Sequence, residues 1–172
     1  MKHLIIILLF LLGANTWTQE PYQNNETHTY DQLQDVYQGL AKKYPRTSKI
    51  VQFGESDFGE NIQLFMISKT GSFQKEAFKD KTVLLINNAI HPGEPCGVDA
   101  CVKLSKDLLA DKENLPENVV IGIIPMYNVG GGHNRNCCSR ANQNGPLEYG
   151  FRGNAKNLDL NRDFIKCDSK NT

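Results

Sequence analysis

The hydrophobic and polar positions along the chain predict helices alternating with strands. Apolar residues recur at helical spacing from Tyr30 to Ala41, behind a threonine that can cap the helix. This helix is expected to end at Tyr44, because Pro45 follows it. A second helical pattern covers residues 97–110. Runs of apolar residues predict four strands, at residues 50–53, 62–67, 83–86 and 119–124.

The order of these elements is typical of an α/β fold. Residues 83–124 run strand, helix, strand, which predicts a right-handed βαβ unit. The short apolar run at 83–86 is of the kind found in buried parallel strands. Residues 126–156 are rich in Gly, Asn and Arg and show little periodicity. A loop of that length inside a compact domain is usually functional.

The N-terminus has the three features of a secretory signal in order. A basic start, Met1 to His3, precedes nine apolar residues at 4–12 and then small and polar residues. The apolar run is too short to cross a bilayer, which takes about 20 residues. We therefore expect a signal peptide at 1–18, a linker at 19–27 and a domain at 28–172. The mature protein is expected to be secreted or periplasmic, with no integral membrane segment.

Composition narrows the class of partner. The chain has 172 residues, with 19 Lys and Arg against 19 Asp and Glu. This balance argues against binding nucleic acid or anionic membranes through bulk charge. The five cysteines are an odd number and are interpreted as small buried or loop residues rather than a disulfide framework. Cys137 and Cys138 are neighbours, and we expect them to pair only under strain.

A histidine and a carboxylate follow the third predicted strand. His91 and Glu94 lie three residues apart on a turn that contains Pro92 and Gly93. Active sites of open α/β sheets collect at the carboxyl ends of strands. An imidazole and a carboxylate that converge on one cation suit zinc. The motif therefore indicates a candidate zinc site.

A second polar cluster lies near the end of the chain, at residues 157–164. Within it, Arg162 offers a planar fork of donors suited to a carboxylate, and Asn161 can add a donor beside it. Upstream, Arg152 is a candidate for stabilising a developing oxyanion. Arg135 and Arg140 lie in the same loop and are alternatives for that role.

Together these segments resemble the zinc carboxypeptidases, the peptidases of the carboxypeptidase A type. The resemblance covers nearly the whole mature chain, because residues 30–58 also look like the opening helix and hairpin of that family. Its motifs are HPGE at 91–94, PMYNVGGG at 125–132, Arg152, and DLNRDF at 159–164.

The resemblance implies a fold and a metal site. It implies a three-layer α/β/α domain with a mixed, mainly parallel sheet, of which this chain is the N-terminal part. His91 and Glu94 match the first two zinc ligands. Asp159 matches a carboxylate that orients the first zinc histidine.

The resemblance also implies a substrate, a peptide with a free C-terminal carboxylate. Asn161 and Arg162 match the pair that holds that carboxylate. Arg152 matches the arginine that polarises the scissile carbonyl. The implied reaction is removal of C-terminal amino acids from peptides by a zinc-activated water.

The chain departs from the family pattern after Arg162. In the family, three functional residues lie beyond that point: the histidine that is the third zinc ligand, the general-base glutamate, and a tyrosine that closes over substrate. Residues 163–172 contain no histidine. His28 is expected at the surface, and His133 lies at the wrong place in the motif order. We therefore expect an incomplete domain with weak zinc affinity, no peptidase activity alone, and an uncovered apolar sheet edge.

Two other functions fit parts of the pattern. A deacylase of the aspartoacylase type also pairs an H-x-x-E motif with Asp-Leu-Asn-Arg and would cleave N-acyl amino acids. A non-catalytic module would bind a terminal carboxylate through Arg152, Asn161 and Arg162 without hydrolysis. The predicted signal and the Arg152 region favour the peptidase.

Overall fold

The computed structural model describes residues 20–172, so the predicted signal peptide at 1–18 lies outside the described residues. All six predicted helices and strands are present, with ends shifted by two residues at most. A short helix, which the sequence analysis placed inside a loop, follows the last strand. In chain order the elements are α1 (Tyr30–Lys43), β1 (Ser48–Glu55), β2 (Asn61–Ser68), β3 (Thr82–Asn87), α2 (Cys96–Ala110), β4 (Val119–Ile124) and α3 (Val129–His133).

The four strands form one mixed sheet in the order β1-β2-β4-β3, which confirms the α/β class. β3 and β4 are parallel and are joined through α2, as the βαβ pattern predicts. The pairs β1–β2 and β2–β4 are antiparallel. We expected a mainly parallel sheet, but among residues 20–172 two of the three strand pairs are antiparallel. The carboxyl ends of β3 and β4 lie at the same edge of the sheet, because parallel neighbours run in the same direction.

Helix α1 begins where its capping residues predict. The Thr29 hydroxyl accepts from the Gln32 backbone N–H, and the Gln32 side chain accepts from the Thr29 N–H, forming a capping box. The apolar stripe of α1 is buried, with Leu33 and Tyr37 fully inaccessible. Tyr44 caps the C-terminus ahead of Pro45. The helix thus packs one face on the core and leaves the other in solvent.

The core lies between the two long helices and one face of the sheet. Phe65 pairs with Ile123 and Ile67 with Ile121, which places all four side chains on that face. They are buried in one cluster with residues of both helices, including Leu33, Tyr37, Val98, Val102 and Leu109. This cluster supports the strand ends from which the candidate site residues extend.

The segment before α1 packs against α2. His28, which we expected at the surface, is only 4% exposed, so that expectation was wrong. Its Nδ1 atom lies 2.6 Å from Asp99 Oδ1 in the first turn of α2, and the Thr27 hydroxyl donates to the other Asp99 oxygen at 2.7 Å. Asp99 accepts hydrogen bonds from both side chains, which explains why the histidine is buried.

Two cysteines are also paired against expectation. Cys137 and Cys138, which we expected to pair only under strain, form a disulfide. The Asn136 side chain accepts from the N–H groups of Cys138 and Ser139 at 3.0 and 2.8 Å, which turns the backbone tightly at this point. Cys101 is free and buried, while Cys96 and Cys167 are free and exposed.

Strand β3 is parallel as predicted, but its predicted burial is wrong. Val83, Leu84 and Leu85 are all exposed. Within the described part of the chain β3 pairs with β4 alone and forms an edge of the sheet. Its apolar side chains on both faces are therefore open to solvent. No helix of residues 20–172 has both the length and the apolar character needed to cross a membrane.

We expect this edge to promote self-association, because an exposed apolar edge strand is a template for pairing with another molecule. Leu85 is 58% exposed, so Leu85→Lys should reduce association while changing the free energy of unfolding by about 0.5 kcal/mol or less. Sedimentation velocity over a concentration series measures the effect. The control is Leu147→Lys, the same change at an exposed site outside the sheet. Equal behaviour of the two variants would contradict the prediction.

Candidate metal and carboxylate site

The site begins where β3 and β4 end. Backbone pairing continues beyond both strands: Tyr127 N–H donates to Asn88 at 2.9 Å and Asn128 N–H to Ala89 at 3.1 Å. The chain then turns at residues 91–94, closed by a bond from Glu94 N–H to the His91 carbonyl at 2.9 Å. The turn leads directly into α2 at Cys96. His91 and Glu94 therefore lie at the carboxyl edge of the sheet, as the sequence predicts.

His91 is held from one side and open on the other. It is 5% exposed, and its Nε2 atom lies 2.8 Å from Asp159 Oδ1. Since Asp159 is a carboxylate and can only accept, Nε2 carries the proton. In the neutral ring the Nδ1 atom keeps its lone pair, and this atom lies 3.6 Å from Glu94 Oε1. The Asp159–His91 contact implied by the family resemblance is thus present in the structure.

Asp159 connects three parts of the site. Besides His91, it accepts from Arg152 Nε at 3.1 Å and Nη2 at 3.0 Å, and from the Asn161 N–H at 3.0 Å. Burial by itself raises the pKa of Asp159, but the hydrogen bonds from His91, Arg152 and Asn161 outweigh it and lower the pKa to about 2. Asp159 is therefore ionised across the physiological range.

Glu94 is held by a different arginine. Arg140 Nη2 donates to Glu94 Oε1 at 2.6 Å, while Arg152 Nη1 lies 3.9 Å from the same oxygen. Burial acts to raise the pKa of Glu94, but the hydrogen bond and charge of Arg140, followed by the charges of His91 and Arg152, lower it overall. Glu94 is therefore an anion flanked by two guanidinium groups.

The donors of this turn fit zinc. In a tetrahedral site with zinc–ligand bonds of about 2.1 Å, two ligand atoms lie about 3.4 Å apart. The separation of 3.6 Å between His91 Nδ1 and Glu94 Oε1 agrees with that value. Imidazole nitrogen and carboxylate oxygen are also the donor types that zinc prefers. Within residues 20–172, however, no three His, Cys, Asp or Glu side chains converge as a metal-binding group.

Asn161 and Arg162 follow Asp159 on a short 3-10 turn, Leu160–Arg162. Leu160 is fully buried and anchors the turn, whereas Asn161 and Arg162 are exposed. Arg162 Nη1 donates to the Asn161 carbonyl at 3.0 Å, and the guanidinium forms no ion pair with a described carboxylate. Its remaining donors are available to an anion from solvent.

The three candidate arginines have different partners. Arg135 donates to the carbonyls of Thr27, His28 and Glu148, so it acts on the N-terminal segment. Arg152 reaches Asp159 and the vicinity of Glu94, as its candidate role requires. Arg140 also reaches the site, through Glu94. The position of Arg140 could not be read from the sequence, because a loop arginine has no periodicity to fix its direction.

Sequence reasoning also missed the role of Asn128 at the start of α3. Asn128 is fully buried, and its Nδ2 donates to the Arg152 carbonyl at 3.0 Å and to the Ile90 carbonyl at 3.4 Å. Its Oδ1 accepts from the Gly131 N–H at 2.9 Å. One amide thus joins the residue before His91 to the backbone of Arg152. Gly131 permits this close packing, since a Cβ atom there would overlap the Phe151 carbonyl oxygen.

Comparison with known proteins agrees with this geometry. Residues 33–171 match the family described as zinc carboxypeptidase. The chain belongs to the zinc carboxypeptidase family. Among curated proteins it is similar to carboxypeptidase D of Drosophila melanogaster, with 30% identity over 158 residues, which cover 87% of this chain and 10% of that protein.

Solved structures of carboxypeptidases share the fold. Carboxypeptidase A from Helicoverpa armigera aligns with a TM-score of 0.55 and 25% identity over 64% of this chain and 26% of that one. A metallo-carboxypeptidase from Burkholderia cenocepacia aligns with a TM-score of 0.58 and 20% identity over 81% of this chain and 33% of that one. The chain thus spans a tenth of the curated relative and a quarter to a third of these solved chains.

The ion pairs of Asp159 predict how acid affects stability. A folded-state pKa of about 2, below the ordinary 3.8, means that the ionised carboxylate stabilises the fold above about pH 4 and that this is lost as the pH falls towards 2. Asp159→Asn should therefore lower the free energy of unfolding at pH 7 by about 1 kcal/mol, after allowance for solvent screening.

Urea unfolding of both proteins at several pH values measures this effect. The difference between wild type and Asp159→Asn should shrink as the pH falls from 4 to 2. Asp163 also has its pKa lowered to about 2, by hydrogen bonds from Ser169 and Asp168, but it is present in both proteins and cancels in the difference. A difference that stays constant down to pH 2 would show that the Asp159 charge does not stabilise the fold.

Proposed function

We propose that this chain carries the first two zinc ligands and the substrate-anchoring residues of an exported zinc metallocarboxypeptidase. The observation that supports this most directly is the pair His91 and Glu94, whose donor atoms lie 3.6 Å apart. Asp159 fixes the His91 ring with Nδ1 towards Glu94. A hydrogen-bonded carboxylate behind a ligand histidine also raises the basicity of the ligand nitrogen.

Asn161 and Arg162 are proposed to bind the C-terminal carboxylate of the peptide. Arg162 has donors without an anionic partner, and its planar fork matches a carboxylate in two parallel hydrogen bonds. The buried Leu160 fixes the turn that carries both residues. This anchoring would favour peptides with a free C-terminus over blocked ones.

Arg152 is proposed to stabilise the oxygen of the scissile carbonyl as negative charge develops on it. Asp159 holds the Nε and Nη2 atoms of Arg152, while Nη1 lies on the Glu94 side. A guanidinium that is already oriented needs no reorganisation when the charge appears. Zinc, when bound, would supply a water of lowered pKa for attack on the peptide bond.

The proposed zinc ligands are two, His91 and Glu94, whereas a catalytic zinc normally has three protein ligands, and no group of three His, Cys, Asp or Glu side chains is found within residues 20–172. We therefore propose that these 172 residues alone do not hydrolyse peptides and that turnover needs a third ligand and a general base. The same observation favours a second candidate, a module that binds terminal carboxylates without cleavage. Membership of the zinc carboxypeptidase family favours the peptidase over an N-acyl amino acid deacylase.

Peptide binding tests the anchoring role. A fluorescent peptide with a free C-terminus should bind at least about tenfold more tightly than its C-terminal amide, because only the free form offers a carboxylate to Arg162. Arg162→Met should remove this preference. Lys166→Met is the control, since it removes the same charge from an exposed position nearby. Equal binding of the two peptides by the wild type would contradict the proposal.

The same peptides test catalysis when zinc is added. We expect no release of the C-terminal amino acid by the 172-residue chain, measured by mass spectrometry. Turnover by this chain would overturn the proposed inactivity. Turnover of N-acyl amino acids but not of peptides would support the deacylase instead.

Export is proposed from residues 1–18, whose order of basic, apolar and small residues is that of a secretory signal. Fused to a reporter enzyme that is active only outside the cytoplasm, these residues should give activity. Replacement of Leu8 and Leu9 by Arg should abolish it, because charges interrupt the apolar run. Activity that survives the replacement would contradict the proposal.

A further inference from the structure

Arg140 enters the site from a closed loop. Asn136 and Tyr149 join the two ends of this loop through backbone hydrogen bonds of 2.9 and 3.0 Å. The Tyr149 hydroxyl, at the base of the loop, accepts from the Arg140 N–H at 3.1 Å. Tyr149 itself is buried, so the backbone of Arg140 is tied to the body of the domain.

The side chain of Arg140 is also confined. Its stem packs on the turn at residues 91–94, where a Cβ atom at Gly93 would lie 3.3 Å from the Arg140 Cγ. The guanidinium ends 2.6 Å from Glu94 Oε1, and the side chain is only 22% exposed. This ion pair is therefore directional, and it is shielded from solvent on the Arg140 side, whereas the Glu94 side chain is 45% exposed.

The oxygen that Arg140 binds is also the one that faces the histidine. Glu94 Oε1 lies 2.6 Å from Arg140 Nη2 and 3.6 Å from His91 Nδ1. A zinc ion held between His91 and Glu94 would approach this same oxygen. The metal and the guanidinium are both cations and would repel each other. Both would also bind the same oxygen atom, Glu94 Oε1.

We propose that Arg140 competes with zinc for Glu94 Oε1 and thereby weakens the affinity of the site for the metal. This inference rests on the proposed role of His91 and Glu94 as ligands. Arg152 does not compete in the same way, because it lies 3.9 Å from Glu94 and donates two hydrogen bonds to Asp159. Arg140 would thus set the affinity of His91 and Glu94 for a metal ion.

The opposite role has a different signature. A partner that merely orients a zinc ligand strengthens binding, and its removal typically lowers metal affinity about 10- to 100-fold. A competing cation does the reverse, so that its removal raises affinity. The sign of the change in affinity therefore separates competition from orientation.

The test is zinc titration of the full chain against a chromophoric chelator at pH 7 and fixed ionic strength. Arg140→Met keeps much of the aliphatic stem and removes the charge, and it should bind zinc about tenfold more tightly than the wild type. Arg140→Lys keeps the charge and should stay closer to the wild type. Arg46→Met is the matched control, because Arg46 is exposed before β1, at the opposite edge of the sheet.

Circular dichroism shows whether each variant is folded, and if Arg140→Met is not, Arg140→Gln provides the same comparison with a polar side chain. Affinity equal to or lower than that of the wild type in the folded variant would overturn the competition. The double variant Arg140→Met, Glu94→Gln should lose the gain, and its persistence would also overturn the proposal. His91→Ala tests the proposed zinc pair separately, since binding that does not depend on His91 would count against that pair.

Discussion

The site depends on the carboxylate of Asp159. It holds the His91 ring, the Arg152 guanidinium and the Asn161 backbone N–H at the same time. These groups come from three places in the chain: the turn after β3, the long loop after α3, and the last turn. No single apolar cluster could align them, because each must present a particular atom in a particular direction. Four hydrogen bonds to one ionised group impose those directions together.

This arrangement also explains the order of charges in the site. Arg140, Glu94, Arg152 and Asp159 alternate in sign, each in contact with or near the next. Alternation lets two carboxylates lie beside one histidine without strong mutual repulsion. Their ionisation is favoured even though burial opposes it, as the lowered pKa values of Glu94 and Asp159 show. The anionic oxygen that a metal would need is therefore present at neutral pH.

Much of the fold was predictable because its signals are local. Helical spacing, a Thr cap and Pro45 defined α1, and short apolar runs defined the strands. The apolar residues of β3 predict burial, and its exposure agrees only with the separate expectation of an uncovered apolar sheet edge, because burial depends on what pairs with the strand. His28 and the Cys137–Cys138 disulfide were missed for a similar reason. The burial of His28 involves its contact with Asp99, and the turn at Cys138 involves the side chain of Asn136; a one-dimensional pattern specifies neither contact.

The candidate site shows the same division. Motif spacing and the family resemblance together identified His91, Glu94, Arg152 and Asp159, all of which the structure brings into one network. Arg140 was named only as an alternative to Arg152, and its contact with Glu94 spans 46 residues of sequence without a motif. Asn128 lies inside a quoted motif, yet its bond to the Arg152 carbonyl is visible only in three dimensions.

Arg152 and Arg162 are suited to different proposed roles because their partners differ. Arg152 is already paired with a carboxylate, so an incoming peptide carboxylate would have to displace Asp159 to bind it fully. A carbonyl oxygen with partial charge needs fewer hydrogen bonds, so it can bind the donors of Arg152 that Asp159 does not occupy. Arg162 is bonded to a backbone carbonyl and has no ion pair to break, so a full negative charge binds it at lower cost. The distribution of internal partners therefore supports the proposed roles, in which Arg162 binds the terminal carboxylate and Arg152 the reacting carbonyl.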